Sequence, residues 1–270
     1  MSFIVKLCTS SNFSLKNTLM CGQCFRWQEI EDGVFCGVVN DKSARIWQTR
    51  ENIFLEELKN CNLDFWSSYF ALNRDYEFLE TALKKIPVLK LAYKFSPGIR
   101  ILKQDPWETL ISFIISQNNN IKRIKGLIDK LCRLAGTPID DEVYAFPSAE
   151  QLANLTLEDL KKVGVGFRAR YILSAANRVL TGRLELGKLG TKSSDFAKAA
   201  LMKIDGVGPK IAACVLLYGF GRYNVAPVDV WIRRGLLKYF PNGWPREFEG
   251  FEGIAQQYLY NYLRKNYEPG

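Results

Sequence analysis

Residues 201–214 read LMKIDGVGPKIAAC, and residues 226–231 read APVDVW. An apolar helical stretch ends at Gly206 and Gly208, where we expect positive φ angles and the close approach of a ligand. Pro209 suits the first position of a new helix, because its missing N–H would have no partner there. The stretch predicts two helices joined by a glycine hairpin, and free N–H groups of the second helix favour an anion such as phosphate. Carbonyls of the same hairpin could hold a structural cation.

Lys210 and Asp229 are the candidate catalytic residues of this stretch. Lys210 lies in the first turn of the second helix, where the helix dipole and burial disfavour the ammonium form, so we expect its pKa to fall. A lysine that loses its proton near neutral pH is a nucleophile able to form a Schiff base. Asp229 precedes an apolar segment and suits a helix N-cap, at which a carboxylate stays ionised. The same pattern is also compatible with an ordinary turn followed by a solvated lysine.

The composition favours a polyanionic partner and excludes several kinds of catalysis. Lys and Arg number 37 against 28 Asp and Glu, a net charge of +9. This predicts salt-sensitive binding of nucleic acid or, alternatively, a basic protein with a solvated surface. The chain has no His, which removes Ser–His and Cys–His nucleophiles and the commonest metal ligand. The chemistry must come from Lys, Asp, Glu, Tyr or Cys, which strengthens the interpretation of Lys210 and Asp229.

Cysteine usage and the start of the chain predict an intracellular protein. The seven Cys are an odd number, and residues 1–7 show no signal peptide, which is typical of free thiols in a reducing compartment. Cys21 and Cys24 form a lone C-x-x-C pair, interpreted as free thiols on or near a strand. No apolar run approaches the length of a membrane span. We therefore expect no membrane association and a location in the cytoplasm or nucleoid of a prokaryote.

The hydrophobic pattern predicts an α+β fold in two parts. Residues 24–49 alternate between apolar and polar and contain turn signals, which predicts an antiparallel meander. From about residue 64 the pattern becomes helical. We expect a sheet module over residues 1–100 and a mostly helical region over residues 101–270, with the hairpin motif at about residues 196–220.

Two local patterns support the helical region. Ser148 and Gln151 have the spacing of a capping box that opens a helix. A second pattern predicts one buried helical stripe, formed by Ile121, Ile124, Leu127, Ile128, Leu131 and Leu134.

Four segments of the chain resemble the helix-hairpin-helix DNA glycosylases of the 8-oxoguanine branch. In chain order they are residues 22–27 (GQCFRW), 117–123 (QNNNIKR), 164–171 (GVGFRARY), and 206–210 with 225–230 (GVGPK and VAPVDV). Because all four occur in the family's order, the resemblance spans almost the whole chain. It implies that the antiparallel sheet has the fold seen in the TATA-binding protein and packs on a mostly helical region with a helix-hairpin-helix motif.

The resemblance also implies how an extruded 8-oxoguanine is recognised. The carbonyl of Gly22 would accept a hydrogen bond from N7–H, which guanine lacks. Gln256 would read the Watson–Crick edge, since an amide donates and accepts at once. Tyr260 and Cys214 would pack on the two faces of the base, and Pro227 would line the pocket.

A second set of residues is implied to contact the DNA. Asn118 would fill the gap left by the base, and Arg123 and Arg168 would hold the widowed cytosine, which predicts faster excision opposite cytosine. Phe167 would wedge between bases of the other strand, because an aromatic ring replaces lost stacking. Contacts near the DNA phosphates are implied for Gly206, Gly208 and Trp231.

The implied reaction has two stages and acts on duplex DNA that contains oxidised guanine. Lys210 attacks the anomeric carbon and expels the base, and the resulting Schiff base permits strand cleavage by β-elimination. Asp229 stabilises the positive charge. No metal or organic cofactor is needed for this chemistry, and we expect a monomer. The alternatives are a glycosylase for alkylated or mismatched bases, against which Lys210 argues, and a DNA-binding module without catalysis.

Overall fold

The computed structural model describes residues 3–57 and 61–266. Its strands are β1 (Phe3–Thr9), β2 (Trp27–Glu31), β3 (Val34–Val39), β4 (Lys42–Gln48), β5 (Asn52–Glu57), β6 (Pro138–Asp140) and β7 (Val143–Tyr144). Its first helices are α1 (Leu15–Met20), α2 (Leu63–Tyr69), α3 (Tyr76–Lys85), α4 (Pro87–Phe95), α5 (Pro106–Ser116), α6 (Ile121–Ala135) and α7 (Ala149–Ala153). They are followed by α8 (Leu157–Val163), α9 (Arg168–Leu180), α10 (Leu186–Leu189), α11 (Ser194–Leu201), α12 (Pro209–Cys214), α13 (Val230–Tyr239) and α14 (Glu252–Asn266). A π-helical turn, Val215–Gly219, continues α12, and a 3₁₀ turn, Arg246–Phe248, precedes α14.

An antiparallel sheet of five strands occupies the N-terminal part, in the order β1-β5-β4-β3-β2. The predicted meander is confirmed as β2, β3 and β4, and the predicted α+β class is confirmed with it. Strands β1 and β5 were not predicted, and they pair antiparallel at a register that sets Val5 opposite Leu55. This pairing joins segments about 50 residues apart in the chain, so no local turn motif predicts it.

Two apolar cores meet beside the segment that precedes β2. One core lies under the sheet and includes Trp27, Phe35 and Trp66, while the other lies among the helices. The side chain of Gln23 is fully buried between them. Its Nε2 donates to the carbonyl of Arg100 at 2.7 Å, and its Oε1 accepts from a backbone N–H at 3.0 Å. These bonds fix the start of β2 against the helical region.

The hairpin between α11 and α12 has the predicted helices on both sides, but only one of its glycines has a positive φ. Gly206 has φ +77°, and the ring of Tyr171 occupies the space that a Cβ would need. Gly208 has φ −90° and ψ −178°, so the expectation of a positive φ there is wrong. Gly208 is the N-cap of α12, a position that takes extended backbone. A Cβ at Gly208 would contact nothing within 4 Å, which leaves its surface open.

The other local predictions are mostly confirmed. The capping box of Ser148 and Gln151 opens α7 with both of its hydrogen bonds. The stripe on α6 is buried from Ile124 to Leu131, but Leu134 is 47% exposed. A helix turns by about 100° per residue, which carries Leu134 to the margin of the stripe. The boundary near residue 100 stays a prediction. No helix in the described ranges is both long and apolar enough to cross a bilayer.

Candidate active site

The residues predicted for catalysis and base recognition line one pocket, which has an empty volume of about 320 Å³. It forms where the segment before β2 meets α5, α12, the N-terminus of α13 and α14. The lining comprises Gly22, Phe113, Lys210, Cys214, Tyr218, Pro227, Asp229, Gln256 and Tyr260. Residues from five separate parts of the chain therefore converge on a space open to solvent.

Lys210 is half-buried in the first turn of α12. Its Nζ lies 5.1 Å from the centroid of the Phe113 ring, and Cys214 follows one helical turn later. Burial raises the pKa of the Cys214 thiol to about 11, although the nearby Lys210 lowers it in part. A thiol protonated at neutral pH is a weak nucleophile. The candidate nucleophile of the pocket is therefore the amine of Lys210, and Cys214 forms part of its wall.

Asp229 is the N-cap of α13, as predicted. Its Oδ1 accepts a hydrogen bond from the backbone N–H of Ile232 at 2.8 Å. The carboxylate is half-buried and acts electrostatically on Cys214 and Tyr260, whose pKa values it raises in addition to the larger effect of burial. The negative charge of Asp229 thus acts in the same pocket as Lys210.

Gln256 and Gly22 have the features of ligand-binding groups. Gln256 is 3% exposed, and its Oε1 has no hydrogen-bond partner within the described part of the chain. A buried polar atom without a partner is rare and calls for an explanation, such as a ligand. Gly22 has φ +89°, and a Cβ there would lie 3.2 Å from Ile121 Cδ1. The backbone at Gly22 therefore takes a conformation and a space that disfavour any other residue.

Tyr260 has a neighbour that sequence reasoning missed. The guanidinium of Arg264 lies 5.4 Å from the centroid of the Tyr260 ring, and its Nη1 would lie 3.7 Å from a Cβ at Gly22. Burial raises the pKa of Tyr260, and Arg264 lowers it in part. The spacing of four residues on α14 places the two side chains on one helix face, a signal that could have identified Arg264.

Two aromatic residues of the pocket were also missed. The rings of Phe113 and Tyr218 stack with centroids 5.5 Å apart and an interplanar angle of 14°. Phe113 belongs to α5, which is buried from Thr109 to Ile115, and Tyr218 belongs to the equally buried π-helical turn. A continuous apolar run gives no sign of which residue faces a pocket, so the sequence offered no signal for either ring.

The residues predicted to contact the opposite strand lie together outside the pocket. Asn118 is exposed with φ +45°, Arg123 is exposed, and Phe167 is 49% exposed. Asn120 caps α6 by accepting from the N–H of Arg123 at 2.9 Å. These positions are accessible to a bound duplex.

Arg168 differs from its neighbours because it is 4% exposed. It donates to the carbonyl of Gln117, to that of Asn118 at 3.1 Å and to that of Val165 at 3.1 Å. Burial and the nearby Arg123 lower its pKa. In this structure Arg168 therefore holds the loop that presents Asn118.

Trp231 lies half-buried at the start of α13, with the guanidinium of Arg234 5.7 Å from its ring centroid.

A structural cation at the hairpin stays a prediction. Over the described ranges, no group of three or more Cys, Asp or Glu side chains is placed to hold a metal ion.

A larger cavity, with an empty volume of about 690 Å³, lies between the sheet, α6 and the β6–β7 hairpin. Arg26 and Lys125 in its lining donate to backbone carbonyls. Arg133 pairs with both lining carboxylates, Asp129 and Glu142. These charges join the sheet to the helical region, so we place the chemistry in the smaller pocket around Lys210.

Two family models match the chain. The model described as 8-oxoguanine DNA glycosylase, N-terminal domain, matches residues 6–110. The model described as HhH-GPD superfamily base excision DNA repair protein matches residues 111–249. Together they match residues 6–249, from the sheet through α13.

Similar proteins agree with these matches. The N-glycosylase/DNA lyase of Saccharomyces cerevisiae is 36% identical over 256 residues, which cover 83% of this chain and 67% of the yeast protein. The structure of MBOgg1 in complex with a low-affinity DNA ligand has 42% identity and a TM-score of 0.89, covering 98% of this chain and 96% of that chain. Clostridium acetobutylicum 8-oxoguanine glycosylase/lyase, in complex with duplex DNA containing cytosine opposite 8-oxoguanine, has 34% identity, a TM-score of 0.89 and the same coverage.

Proposed function

The chain belongs to the 8-oxoguanine DNA glycosylase family within the helix-hairpin-helix base excision repair proteins, and on this premise we propose that it excises 8-oxoguanine through a Schiff base on Lys210. It is a bifunctional DNA glycosylase and abasic-site lyase. The observation that carries the proposal is the convergence of Lys210 and Asp229 with the base-recognition residues in one pocket.

The proposed reaction starts with an extruded nucleotide, because the base cannot be reached inside the duplex. The neutral amine of Lys210 attacks C1′ of the sugar, the bond from C1′ to N9 breaks, and the base leaves with a proton. The carboxylate of Asp229 stabilises the positive charge that develops on the sugar. The C1′–O4′ bond then breaks as O4′ takes a proton, which opens the sugar ring and leaves an iminium between C1′ and the lysine nitrogen. This iminium acidifies the C2′ hydrogens, and loss of one of them as a proton breaks the C3′–O bond and releases the 3′ phosphate. Side chains of the protein suffice, so we propose no metal or organic cofactor.

Recognition of the base is proposed to use the walls of the same pocket. The carbonyl of Gly22 accepts from N7–H, a donor that guanine lacks, and the amide of Gln256 pairs with the Watson–Crick edge. The partnerless Oε1 of Gln256 supports this role. Tyr260 and Cys214 pack on the two faces of the base, and Pro227 closes one side.

A preference for cytosine opposite the lesion is proposed from Arg123 and Arg168. Arg123 is exposed beside Arg168, and guanidinium groups can donate to the acceptors of an unpaired cytosine. Arg168 would have to exchange some of its carbonyl partners to do so. Asn118 fills the gap that the extruded base leaves, and Phe167 wedges between bases of the opposite strand. Three further residues lie near the DNA phosphates, namely Gly206, Gly208 and Trp231. We propose that the protein acts as a monomer.

The test is a panel of duplexes with 8-oxoguanine opposite cytosine or adenine, alkylated adenine, or a preformed abasic site. We expect excision of 8-oxoguanine, fastest opposite cytosine, and cleavage at the abasic site. Faster release of alkylated adenine than of 8-oxoguanine would support the alkyl-base alternative. Tight binding with no base release would reduce the protein to a DNA-binding module.

A further inference from the structure

The two carbonyls that flank Gly22 are each held by a glutamine amide. Nε2 of Gln104 donates to the carbonyl of Gln23 at 2.8 Å, and Nε2 of Gln257 donates to the carbonyl of Cys21 at 3.4 Å. Among the described residues, no hydrogen bond uses the carbonyl of Gly22 itself. The segment is thus fixed on both sides of the one carbonyl that is left for a ligand.

A buried hydroxyl sets the orientation of Gln257. The hydroxyl of Tyr218 donates to Oε1 of Gln257 at 2.5 Å, and both side chains are less than 5% exposed. Burial raises the pKa of Tyr218 well above its usual value, so the hydroxyl keeps the proton that it donates. Because Oε1 is occupied by this bond, Nε2 must face the carbonyl of Cys21. Tyr218, Gln257 and Cys21 therefore form one chain of hydrogen bonds.

The same tyrosine also contacts the reacting side of the pocket. Its ring stacks on Phe113 with centroids 5.5 Å apart, and the Phe113 ring lies 5.1 Å from Nζ of Lys210. A stacked aromatic pair therefore lies between the amine and the hydrogen-bond chain that holds the Gly22 segment. This arrangement fixes the position of the base-reading carbonyl relative to the nucleophile.

We propose that Tyr218 and Gln257 are positioning residues that fix Gly22 for recognition of N7–H, an inference that rests on the proposed function. The hydroxyl of Tyr218 orients the amide of Gln257, and that amide holds the carbonyl of Cys21. Because Cys21 directly precedes Gly22, the backbone at Gly22 is held in place as well. A small rotation of this segment misaligns the Gly22 carbonyl, and hydrogen bonds weaken steeply with misalignment. Recognition of the intact lesion depends on this alignment, whereas attack on a preformed abasic site does not.

The experiment compares Tyr218→Phe and Gln257→Met with two matched controls. Tyr258→Phe removes a buried hydroxyl that donates to the carbonyl of Ile99 at 3.1 Å. Asn261→Leu removes a buried amide that donates to Oγ of Ser96 at 2.5 Å. Each control deletes the same kind of group from the same packed region without touching the chain to Cys21.

Two single-turnover rate constants are measured for each variant, one for excision of 8-oxoguanine and one for cleavage at a preformed abasic site. We expect the ratio of excision to cleavage to fall about three- to tenfold in Tyr218→Phe and Gln257→Met, the range of one hydrogen bond. The controls keep the wild-type ratio. The double variant loses no more than the larger single loss, because both groups act through one chain.

The outcomes separate this inference from the proposed function. A wild-type protein that neither excises 8-oxoguanine nor cleaves abasic DNA refutes the function itself. A wild-type protein that does both, with an unchanged ratio in Tyr218→Phe and Gln257→Met, overturns only the positioning role. If Gln257→Met does not fold, Tyr218→Phe decides the question, since it removes a single oxygen atom.

Discussion

The base pocket holds its polar groups buried or half-buried, whereas the surface proposed to face the opposite strand holds most of its groups in solvent. Gln256 is 3% exposed in the pocket, while Phe167 is 49% exposed on the other surface. Arg168 is the exception on that surface, because it is buried and bound to backbone carbonyls. The lesion would therefore enter a preformed site, and the opposite base would meet exposed groups together with Arg168, which must first exchange partners.

This difference implies two sources of specificity. Preorganised groups in the pocket need no reorganisation when charge develops, which is the main advantage of an enzyme site over water. Exposed groups on the other surface gain a partner only when DNA is bound, and they lose side-chain freedom then. Substitutions in the pocket should mainly change the rate of excision, while substitutions on the other surface should change the choice of opposite base.

The largest expected effect in the pocket comes from the charge of Asp229. Asp229→Asn keeps an N-cap of similar quality but removes the carboxylate that lines the pocket together with Lys210. We expect excision to slow by about 100- to 1000-fold in single-turnover assays. The free energy of unfolding, measured with denaturant, should change by less than about 0.5 kcal/mol. An unchanged excision rate would show that the pocket does not use this charge.

The second prediction concerns the anchor of the segment that carries Gly22. Glu108 lies 3.8 Å from Arg26, and burial raises the pKa of Glu108 from 4.5 to about 7, with Arg26 opposing the shift in part. The folded state binds this proton more tightly than the unfolded state does. The contribution of Glu108 is therefore fully present below pH 4.5 and is lost as the pH rises through about 7.

The loss amounts to about 3 kcal/mol between pH 4.5 and pH 8. Glu108→Gln should remove this part of the pH dependence, so the variant becomes more stable than the wild type at pH 8. Chemical unfolding at a series of pH values measures the difference between the two proteins. Parallel curves for wild type and variant would contradict a buried neutral carboxyl at Glu108.

The next prediction compares two arginines of the surface proposed to face the opposite strand. Arg168→Ala leaves the carbonyls of Gln117 and Asn118 without their donor, while the carbonyl of Val165 keeps the backbone N–H of residue 168. We expect a loss of about 2 kcal/mol in the free energy of unfolding. Arg123→Ala removes an exposed group, so stability should stay within about 0.5 kcal/mol. The preference for cytosine over adenine should nevertheless fall about tenfold in Arg123→Ala. Equal excision opposite all four bases in the wild type would remove the proposed role of both arginines.

The last prediction is a substitution that should stabilise the protein slightly while it slows excision. Gln256→Leu replaces a buried amide by an apolar side chain of similar size, and the Oε1 of that amide has no partner among the residues that the structure describes. We expect the free energy of unfolding to rise by about 1 kcal/mol, while excision slows by about tenfold or more. Thermal unfolding and single-turnover excision measure the two quantities. A less stable variant would mean that Gln256 serves the fold of the free protein.

The features that could be predicted from the sequence are those set by residues close together in the chain. Pro209 and Asp229 mark helix starts by their own chemistry, and alternation marks the strands of the meander. The pairing of β1 with β5 was missed because register between distant segments is set by packing. Gly208 was assigned the wrong backbone conformation, because both a tight turn and an N-cap accept glycine.

For the site, two of the four segments of resemblance, residues 22–27 and residues 206–210 with 225–230, contain residues that the structure places in the pocket. The other two segments contain the residues that lie together outside it. Phe113 and Tyr218 could not be found in this way, since an apolar residue in a buried helix looks the same whether it faces a core or a ligand. The partners of Arg168 are backbone carbonyls, which exist at every position and leave no mark in a sequence. Gln257 stands beside Gln256, and only the fold shows that the two amides face different groups.

The central claim is that the amine of Lys210 becomes covalently bound to the sugar. Borohydride reduction during reaction with an 8-oxoguanine duplex, followed by mass spectrometry of the peptides, identifies the attached residue. The account predicts a single adduct at Lys210 and no trapped species with Lys210→Gln. An adduct on another lysine, or trapping that persists in Lys210→Gln, would contradict it.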